Sequence, residues 1–199
     1  MSIGIIGSGS IGSAFARALA RENIEATIAN SRGPESLQDL VREIGPSINA
    51  GTVQQAASAD IVLIAVNWTK LPQALAGLPN WEGRIVIDAN NAIEAPAFKP
   101  FDLKGRASSE VVGDLVPGSR LVKALNHLPA QIVSSDPKAE GGKRVLFYSG
   151  DDASAKADVA ALFEQLGFFA LDLGSLAVGG QMAGFPGGPL AIHNFVKFG

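Results

Sequence analysis

Residues 3–12 read Ile-Gly-Ile-Ile-Gly-Ser-Gly-Ser-Ile-Gly and join a short apolar run to a glycine-rich turn. The glycines Gly7, Gly9 and Gly12 have the spacing of a loop that holds phosphate groups between a buried strand and a helix. An amphipathic helical pattern begins at Ile11, directly after the turn. The chain has 23 glycines in 199 residues, so the spacing alone is weak evidence. The strand before the turn and the helix after it make the pattern specific.

Each glycine of this turn has its own predicted role. Gly7 permits the tight turn, Gly9 lets a pyrophosphate approach the backbone, and Gly12 permits close packing of the helix on the strand. Free N–H groups at the start of the helix then face the phosphates. The alternative is a glycine-rich turn that binds no ligand. We expect cofactor contacts from Gly7, Ser8, Gly9, Ser10, Ile11 and Gly12.

The predicted second strand, residues 24–30, ends in Asn30-Ser31-Arg32. Proteins that bind NAD place an Asp or Glu at this point, because a carboxylate accepts hydrogen bonds from the ribose hydroxyls. This chain has an amide, a hydroxyl and a guanidinium instead, and Arg32 can pair with a phosphate or stack on adenine. The alternative is a plain turn and helix cap before Pro34. We expect Asn30, Ser31 and Arg32 to bind NADP(H) rather than NAD(H).

Short apolar runs alternate with helical patterns along the chain. This order predicts an α/β fold of Rossmann type, a doubly wound, mostly parallel sheet with helices on both faces and a short C-terminal helical extension. We expect residues 90–105 to form a loop and a final helix to run over residues 189–198. The predicted strands cover residues 3–6, 24–30, 48–50, 60–66, 84–89, 120–125, 143–149 and 168–172.

No boundary of a second domain is visible, so residues 1–199 are predicted to form one dinucleotide-binding domain. Residues 175–199 are expected to be an extension that covers the site or a dimer interface. This segment contains Gly-Phe-Pro-Gly-Gly-Pro at positions 184–189, which cannot belong to one continuous helix. A second substrate must therefore bind largely on the same domain.

The carboxyl ends of several predicted strands carry small and amide side chains. In open α/β sheets such strand ends line the binding crevice. The candidates at this end of the site are Ala65, Val66, Asn67, Trp68, Asn90 and Asn126. His127 follows Asn126 and is a candidate acid or base, although it is equally consistent with a polar residue that merely leaves a strand. Hydride transfer needs positioning more than it needs a catalytic proton.

The composition excludes several classes of site. A formal net charge of −3 argues against a nucleic-acid surface, and the absence of cysteine excludes disulfides and thiolate metal sites. We expect no metal site. The start of the chain has no basic n-region, and no apolar stretch is long enough to cross a membrane, so we expect a cytoplasmic protein without a membrane partner.

Beyond these patterns, the chain resembles a known family over nearly its whole length. The segments that carry the resemblance are residues 7–12, 31–32, 65–68, 122–130, 149–152 and 171–176. They are similar to the NADPH-dependent reductases of the deazaflavin coenzyme F420 and, more distantly, to the NADPH domains of STEAP-type metalloreductases. The resemblance implies that NADP is held by residues 8–11, Ser31 and Arg32. It also implies that residues 66–68 and the segment from Asn126 to Ala130 flank the nicotinamide.

The same resemblance implies hydride exchange between NADPH and a flavin-like or deazaflavin ring, often in a homodimer. We expect the ring to lie between Asn67, Asn126 and residues 184–189. The alternatives are an NADP(H)-binding sensor without turnover and a reductase of another small acceptor. A short-chain carbonyl reductase is excluded, because the only tyrosine, Tyr148, is followed four residues later by Asp152 rather than by lysine.

Overall fold

A twisted, mostly parallel sheet lies at the centre of the molecule in the computed structural model, which describes residues 1–94 and 96–199. The strands are β1 (Ile3–Ile6), β2 (Ala26–Ala29), β3 (Ile48–Ala50), β4 (Ile61–Ile64), β5 (Ile85–Asp88), β6 (Ile93–Glu94), β7 (Lys99–Pro100), β8 (Arg120–Ala124), β9 (Lys138–Ala139), β10 (Gly142–Gly150), β11 (Phe169–Asp172) and β12 (Val196–Lys197). The helices are α1 (Ser10–Arg21), α2 (Gln38–Ile44), α3 (Val53–Ala57), α4 (Leu71–Leu75), α5 (Ser108–Leu115), α6 (Ala130–Ser134), α7 (Ala153–Gln165) and α8 (Leu176–Met182). Short 3-10 turns over Pro34–Leu37 and Trp68–Lys70 precede α2 and α4.

The strand order across the sheet is β11-β10-β8-β5-β4-β1-β2-β3. All neighbours from β3 to β8 pair in parallel, whereas β10 runs antiparallel to β8. The chain leaves β1 toward β2 on one side and reaches β4 on the other. The carboxyl ends of β1 and β4 therefore flank the point where the strand order reverses, which is where ligands bind in such sheets. The predicted fold class is confirmed.

The central strands are buried on both faces and carry apolar residues at most positions. Within β1, Ile5 packs with the helices of one face and Ile6 with those of the other. One face is covered by α1, α6 and α7, which supply Phe15 and Phe163, and the opposite face by α3, α4 and α5. This double cover explains why the parallel strands appear in the sequence as continuous apolar runs.

Two expectations about local structure are wrong. Residues 90–105 are not a plain loop, because β6 and β7 pair there as a small antiparallel hairpin. Residues 189–198 do not form a helix; they make turns and then β12, which pairs with the amino end of β10. Ile192 has a φ of 59°, in the left-handed region, which interrupts any helix at that point. The helices α6 and α8 were not predicted.

The last part of the chain packs on the outer end of the sheet. Val145 and Phe147 of β10 form a small apolar cluster with Ala183, and Leu190 packs against it. The C-terminal extension is thus part of the core at this edge. Within the described residues, no helix has the length and apolar character needed to span a membrane, and no group of three potential metal ligands occurs.

Candidate functional site

Two connected cavities lie at the carboxyl ends of β1, β4 and β5. The first has a volume of about 740 Å³ and extends from the glycine loop past the turn after β2 to the starts of α3 and α4. The second, of about 310 Å³, continues past the loop toward the end of β5 and the β6–β7 hairpin. The two share Gly9, Ala65, Val66 and Asn67 as lining residues. Together they form one elongated crevice with the glycine loop at its middle.

The three glycines of the loop are required for different reasons. Gly7 has a φ of 111°, and a Cβ there would lie 2.1 Å from the Ala65 carbonyl oxygen. A Cβ on Gly12 would lie 1.8 Å from the Gly7 carbonyl oxygen. Gly9 has an extended backbone, and no atom lies within 4 Å of the place where its Cβ would be. The fold therefore requires Gly7 and Gly12, whereas at Gly9 the missing side chain leaves open space in the crevice.

Asn30 fixes the turn that follows β2. Its Oδ1 accepts a hydrogen bond from the Arg32 N–H at 2.7 Å, and its Nδ2 donates to the Ser8 hydroxyl at 3.1 Å. The Ser36 hydroxyl contacts the same amide, accepting from Asn30 Nδ2 and donating to Asn30 Oδ1, each at 3.1 Å. The amide thus connects the turn to the glycine loop, and Ser31 and Arg32 line the first cavity.

The charge of the first cavity is opposite in sign to that of the whole chain. Arg32 and Lys70 line it, and no carboxylate does so among the residues that the structure describes. Neither cation takes part in an ion pair there, whereas several surface arginines and lysines do. Unpaired cations around open space favour a ligand that carries several negative charges.

The second cavity combines apolar walls with amide groups. Trp68, Ile93 and Phe98 supply the apolar surface, and Asn67, Asn90 and Asn91 supply the amides. No ionisable side chain lines this cavity in the described part of the chain. The glycine loop contributes Ser10 and Ile11 at its inner end.

A buried polar network holds Asn90 in place. Its Oδ1 accepts from the Val66 N–H at 3.2 Å, and its Nδ2 donates to the Ile64 carbonyl at 3.1 Å and to Asp88 Oδ1 at 2.9 Å. Asp88 in turn pairs with the buried Lys123, whose Nζ lies 2.9 Å from Oδ2. Lys123 also donates to the Asn90 carbonyl oxygen. The ends of β4, β5 and β8 are thereby fixed relative to one another.

Three of the predicted cofactor-binding residues, Gly12, Asn126 and Ala130, lie outside both cavities. Asn126 is buried, and its Nδ2 donates to Asn91 Oδ1 and to the Ala183 carbonyl, each at 3.1 Å. Ala130 begins α6 and packs against the core beside α1. Gly12 serves the packing of α1 on the loop. The predicted residues that do line a cavity are Gly7, Ser8, Gly9, Ser10, Ile11, Asn30, Ser31, Arg32, Ala65, Val66, Asn67, Trp68 and Asn90.

His127 lies behind the second cavity rather than in it. Its side chain is 1% exposed, and its ring centroid lies 4.8 Å from that of Phe147. Burial lowers the pKa of this imidazole to about 4, against a smaller opposing effect of the Val145 backbone. The ring is therefore neutral at neutral pH and has no access to either cavity, so its geometry does not favour the role of acid or base.

Several residues of the crevice were not predicted as site residues. They follow the ends of β3, β4 and β5, so their position after a strand was the available signal. The polar ones include Thr52, Gln54, Lys70 and Gln73, and the apolar ones include Val53, Leu78, Ile93 and Phe98.

The comparisons with known proteins agree with this geometry. Residues 2–92 match the family model described as NADP oxidoreductase, coenzyme F420-dependent. A hypothetical protein from Sinorhizobium meliloti is 45% identical and superposes with a TM-score of 0.94 over 99% of this chain and 96% of its own. A protein from Arthrobacter sp. FB24 described as an F420-dependent NADP reductase is 30% identical, with a TM-score of 0.74 over 89% of this chain and 86% of its own.

A curated relative is more distant. Metalloreductase STEAP3 from Rattus norvegicus is 28% identical over 92% of this chain, which corresponds to 36% of the length of that relative. The chain thus spans about a third of the curated proteins that it matches. Because the Arthrobacter protein is matched over most of both chains, the crevice and the sequence lead to the same assignment. The chain belongs to the family of coenzyme F420-dependent NADP oxidoreductases.

Proposed function

We propose that this protein reduces a flavin-like or deazaflavin ring with NADPH, which is bound along the whole crevice. The observation that carries the proposal is the contrast between the two cavities. The first contains two unpaired cations, Arg32 and Lys70, and the second contains no ionisable side chain in the described chain. A phosphate-rich adenosine half suits the first cavity, and an uncharged nicotinamide and acceptor suit the second.

Different parts of the crevice suit different parts of NADPH. The open space at Gly9 and the N–H groups at the start of α1 suit the pyrophosphate. Ser31 and Arg32 suit the 2′-phosphate, since a guanidinium pairs well with phosphate oxygens. Ala65, Val66, Asn67, Trp68 and Asn90 then border the nicotinamide. The buried Lys123–Asp88 pair holds Asn90 without entering the cavity.

The chemistry of the second cavity favours a flavin-like acceptor over a carbonyl. When NADPH is bound, it supplies a hydride to the acceptor and becomes NADP⁺, and one proton from water completes the reduced ring. A carbonyl needs an acid to protonate the developing alkoxide. A flavin-like ring spreads the added charge over its own atoms and needs no protein acid. The amide of Asn67 is the polar group available to orient such a ring, because the amide of Asn91 is already bonded to Asn126 and Phe185.

The experiment is anaerobic turnover with NADPH and three acceptors, namely riboflavin, FMN and the deazaflavin. We expect bleaching of the acceptor with at least one of them and much slower turnover with NADH. Tight NADPH binding without turnover of any acceptor would instead support the alternative, an NADP(H)-binding sensor. Turnover of a carbonyl substrate in preference to all three rings would contradict the assignment of the acceptor.

We also propose a homodimer that uses the C-terminal extension. Ile192, Phe195 and Phe198 are 62%, 43% and 57% exposed, and all lie on this segment. Exposed apolar side chains clustered on one segment mark a contact surface more often than a free one. Light scattering of the intact protein tests this expectation, since a monomer at high concentration would contradict it.

A further inference from the structure

The β6–β7 hairpin forms one wall of the second cavity. Its strands pair Ile93 with Pro100 and Glu94 with Lys99. The segment between them carries Phe98, which is 57% exposed and lines the cavity. The hairpin also packs against the Trp68–Lys70 turn, which forms part of the same cavity. An exposed aromatic ring therefore borders the cavity that the proposed function assigns to the nicotinamide and the acceptor.

The backbone at Phe98 does not favour phenylalanine. Its φ is 53°, in the left-handed region that glycine adopts readily and bulky residues adopt at a cost. Residues held in such a conformation occur frequently at ligand sites. Since the ring is exposed and the backbone favours glycine, folding alone does not explain a phenylalanine here. The aromatic face is the feature that remains to be explained.

The hairpin is connected to the C-terminal extension through one aromatic contact and one amide. The rings of Phe98 and Phe185 meet edge to face, with centroids 6.0 Å apart and planes at 81°. The Phe185 N–H donates to Asn91 Oδ1 at 3.1 Å, and Asn91 Nδ2 donates to the Asn126 carbonyl at 2.7 Å. Asn91 thus links the ends of β5 and β8 to the extension. Among the described residues, no aromatic ring stacks face to face on Phe98.

We propose that Phe98 is the stacking wall of the acceptor site and determines which acceptors are turned over. This inference rests on the proposed function. An uncharged planar heteroaromatic ring, of the flavin or deazaflavin class, stacks on Phe98 and is held against the nicotinamide pocket. Offset stacking and the burial of two apolar faces supply the binding energy. The amide of Asn91 fixes the position of Phe185 in the extension. Phe185 in turn contacts the ring of Phe98, which keeps that ring in the wall of the cavity.

The test uses three substitutions at one position. Phe98→Ala removes the ring, Phe98→Trp keeps an aromatic face, and Phe98→Gly removes the ring and relieves the backbone. For riboflavin we expect kcat/KM to fall about tenfold in the Ala and Gly variants and to stay within about threefold in the Trp variant. The Kd for NADPH should not change. The melting temperature of the Gly variant should equal or exceed that of the wild type, because the left-handed backbone favours glycine.

Two matched controls separate the site from the surface. Phe101→Ala changes an exposed ring that follows the same hairpin but does not line the cavity. Leu171→Ala changes an exposed apolar side chain of β11 that lines neither cavity. Both should keep the kcat/KM for riboflavin. An equal loss in Phe101→Ala and Phe98→Ala would show that the hairpin has a structural role only and would overturn the proposal.

Binding is measured separately from turnover, by quenching of riboflavin fluorescence in the complex with NADP⁺. Weaker quenching in Phe98→Ala than in the wild type supports the stacking wall even if no acceptor is reduced. That result would contradict the proposed reductase function but would support the proposed binding site at Phe98. Equal quenching in the two proteins overturns the stacking wall, and it leaves the reductase function intact if the wild type still turns over.

Discussion

Arg32 is the side chain on which the proposed preference for NADPH depends most directly. It follows β2 at the point where an acid would select NAD, it lines the first cavity, and it forms no ion pair in the described structure. Asn30 Oδ1 accepts a hydrogen bond from the Arg32 backbone N–H at 2.7 Å, so the conformation of the turn does not depend on a bound ligand. The guanidinium is therefore available to a phosphate.

Arg32→Ala should weaken NADPH binding by about 1.5–3 kcal/mol, because a charge-assisted pair with the 2′-phosphate is lost. NADH affinity should stay nearly constant, since NADH has no such phosphate. Titration of both cofactors by nicotinamide fluorescence measures the difference. Arg42→Ala, which removes an exposed cation paired with Asp39, is the matched control. Equal losses for NADPH and NADH would show that Arg32 does not contact the 2′-phosphate.

Gly9→Val should abolish dinucleotide binding and leave the fold intact. No atom lies within 4 Å of the Cβ position, and the extended backbone accepts any residue, so the branched side chain occupies only the space of the pyrophosphate. Circular dichroism and NADPH titration measure the two effects. Gly12→Val should unfold the protein instead, because its Cβ would lie 1.8 Å from the Gly7 carbonyl oxygen. A Gly9→Val protein with native affinity would contradict the role of the loop.

At this scale, sequence reasoning identifies crevice residues where a residue type has one strong meaning. The glycine spacing and the missing acid after β2 identified residues that line the crevice. Lys70 and Phe98 carry no such local signal, because each reaches the crevice through the topology of the sheet and the hairpin. Asn126 is predicted from its position after a strand, but it is buried, lines neither cavity, and its Nδ2 donates to Asn91 and Ala183.

Among the elements, β5 and β8 depend on a buried ion pair. Lys123 and Asp88 are 2% and 0% exposed, and the pair also organises Asn90 at the end of β5. The geometry of the proposed nicotinamide end therefore depends on an ion pair whose members line neither cavity. Replacing one partner leaves the other as an uncompensated buried charge.

Lys123→Met should lower the free energy of unfolding by about 3–5 kcal/mol, because Asp88 stays buried without its partner. The double substitution Lys123→Met with Asp88→Asn should recover much of the loss. Lys156→Met, which breaks an ion pair with the partly exposed Asp172, should cost less than about 1 kcal/mol. Urea unfolding measures all three proteins. A loss of less than about 1 kcal/mol in Lys123→Met would contradict the structural importance of the pair.

The central strands of the sheet are predictable from the sequence because most of their residues are both buried and apolar. Strands such as β4 are apolar at every position, so the sequence alone indicates a parallel sheet covered on both faces. The hairpin and β12 have strands of two residues each, too short for any periodicity. The C-terminal segment has an apolar spacing that suggested a helix. Its real structure is set by pairing with β10, a contact distant in sequence.

On the scale of the whole molecule, His127 connects the sheet to the C-terminal extension. Its carbonyl accepts from the Ile192 N–H at 2.7 Å, and its ring packs on Phe147, which in turn meets Phe195 at 5.8 Å. Nδ1 of this histidine is buried without a hydrogen-bond partner in the described chain. Protonation of the ring therefore places a charge in the apolar layer that holds the extension on β10.

This arrangement predicts a stability that falls in mild acid. Burial lowers the pKa of His127 from 6.5 to about 4, so between these values the unfolded chain binds a proton that the folded chain does not. The contribution of the neutral His127 to the free energy of unfolding is present in full above pH 6.5 and is lost as the pH falls toward 4. Below pH 4 it does not change further. Between pH 7 and pH 5 the loss amounts to about 2 kcal/mol.

Urea unfolding at these two pH values, compared between the wild type and His127→Gln, isolates this effect from the titration of the carboxylates. The variant should lose less stability between pH 7 and pH 5 than the wild type, whatever its stability at pH 7, because glutamine has no proton to bind. His193→Gln should keep the full loss, since His193 is exposed on the same extension. An identical pH dependence in His127→Gln and the wild type would show that the imidazole is hydrated in solution, and the extension would then be held on β10 by its apolar contacts alone.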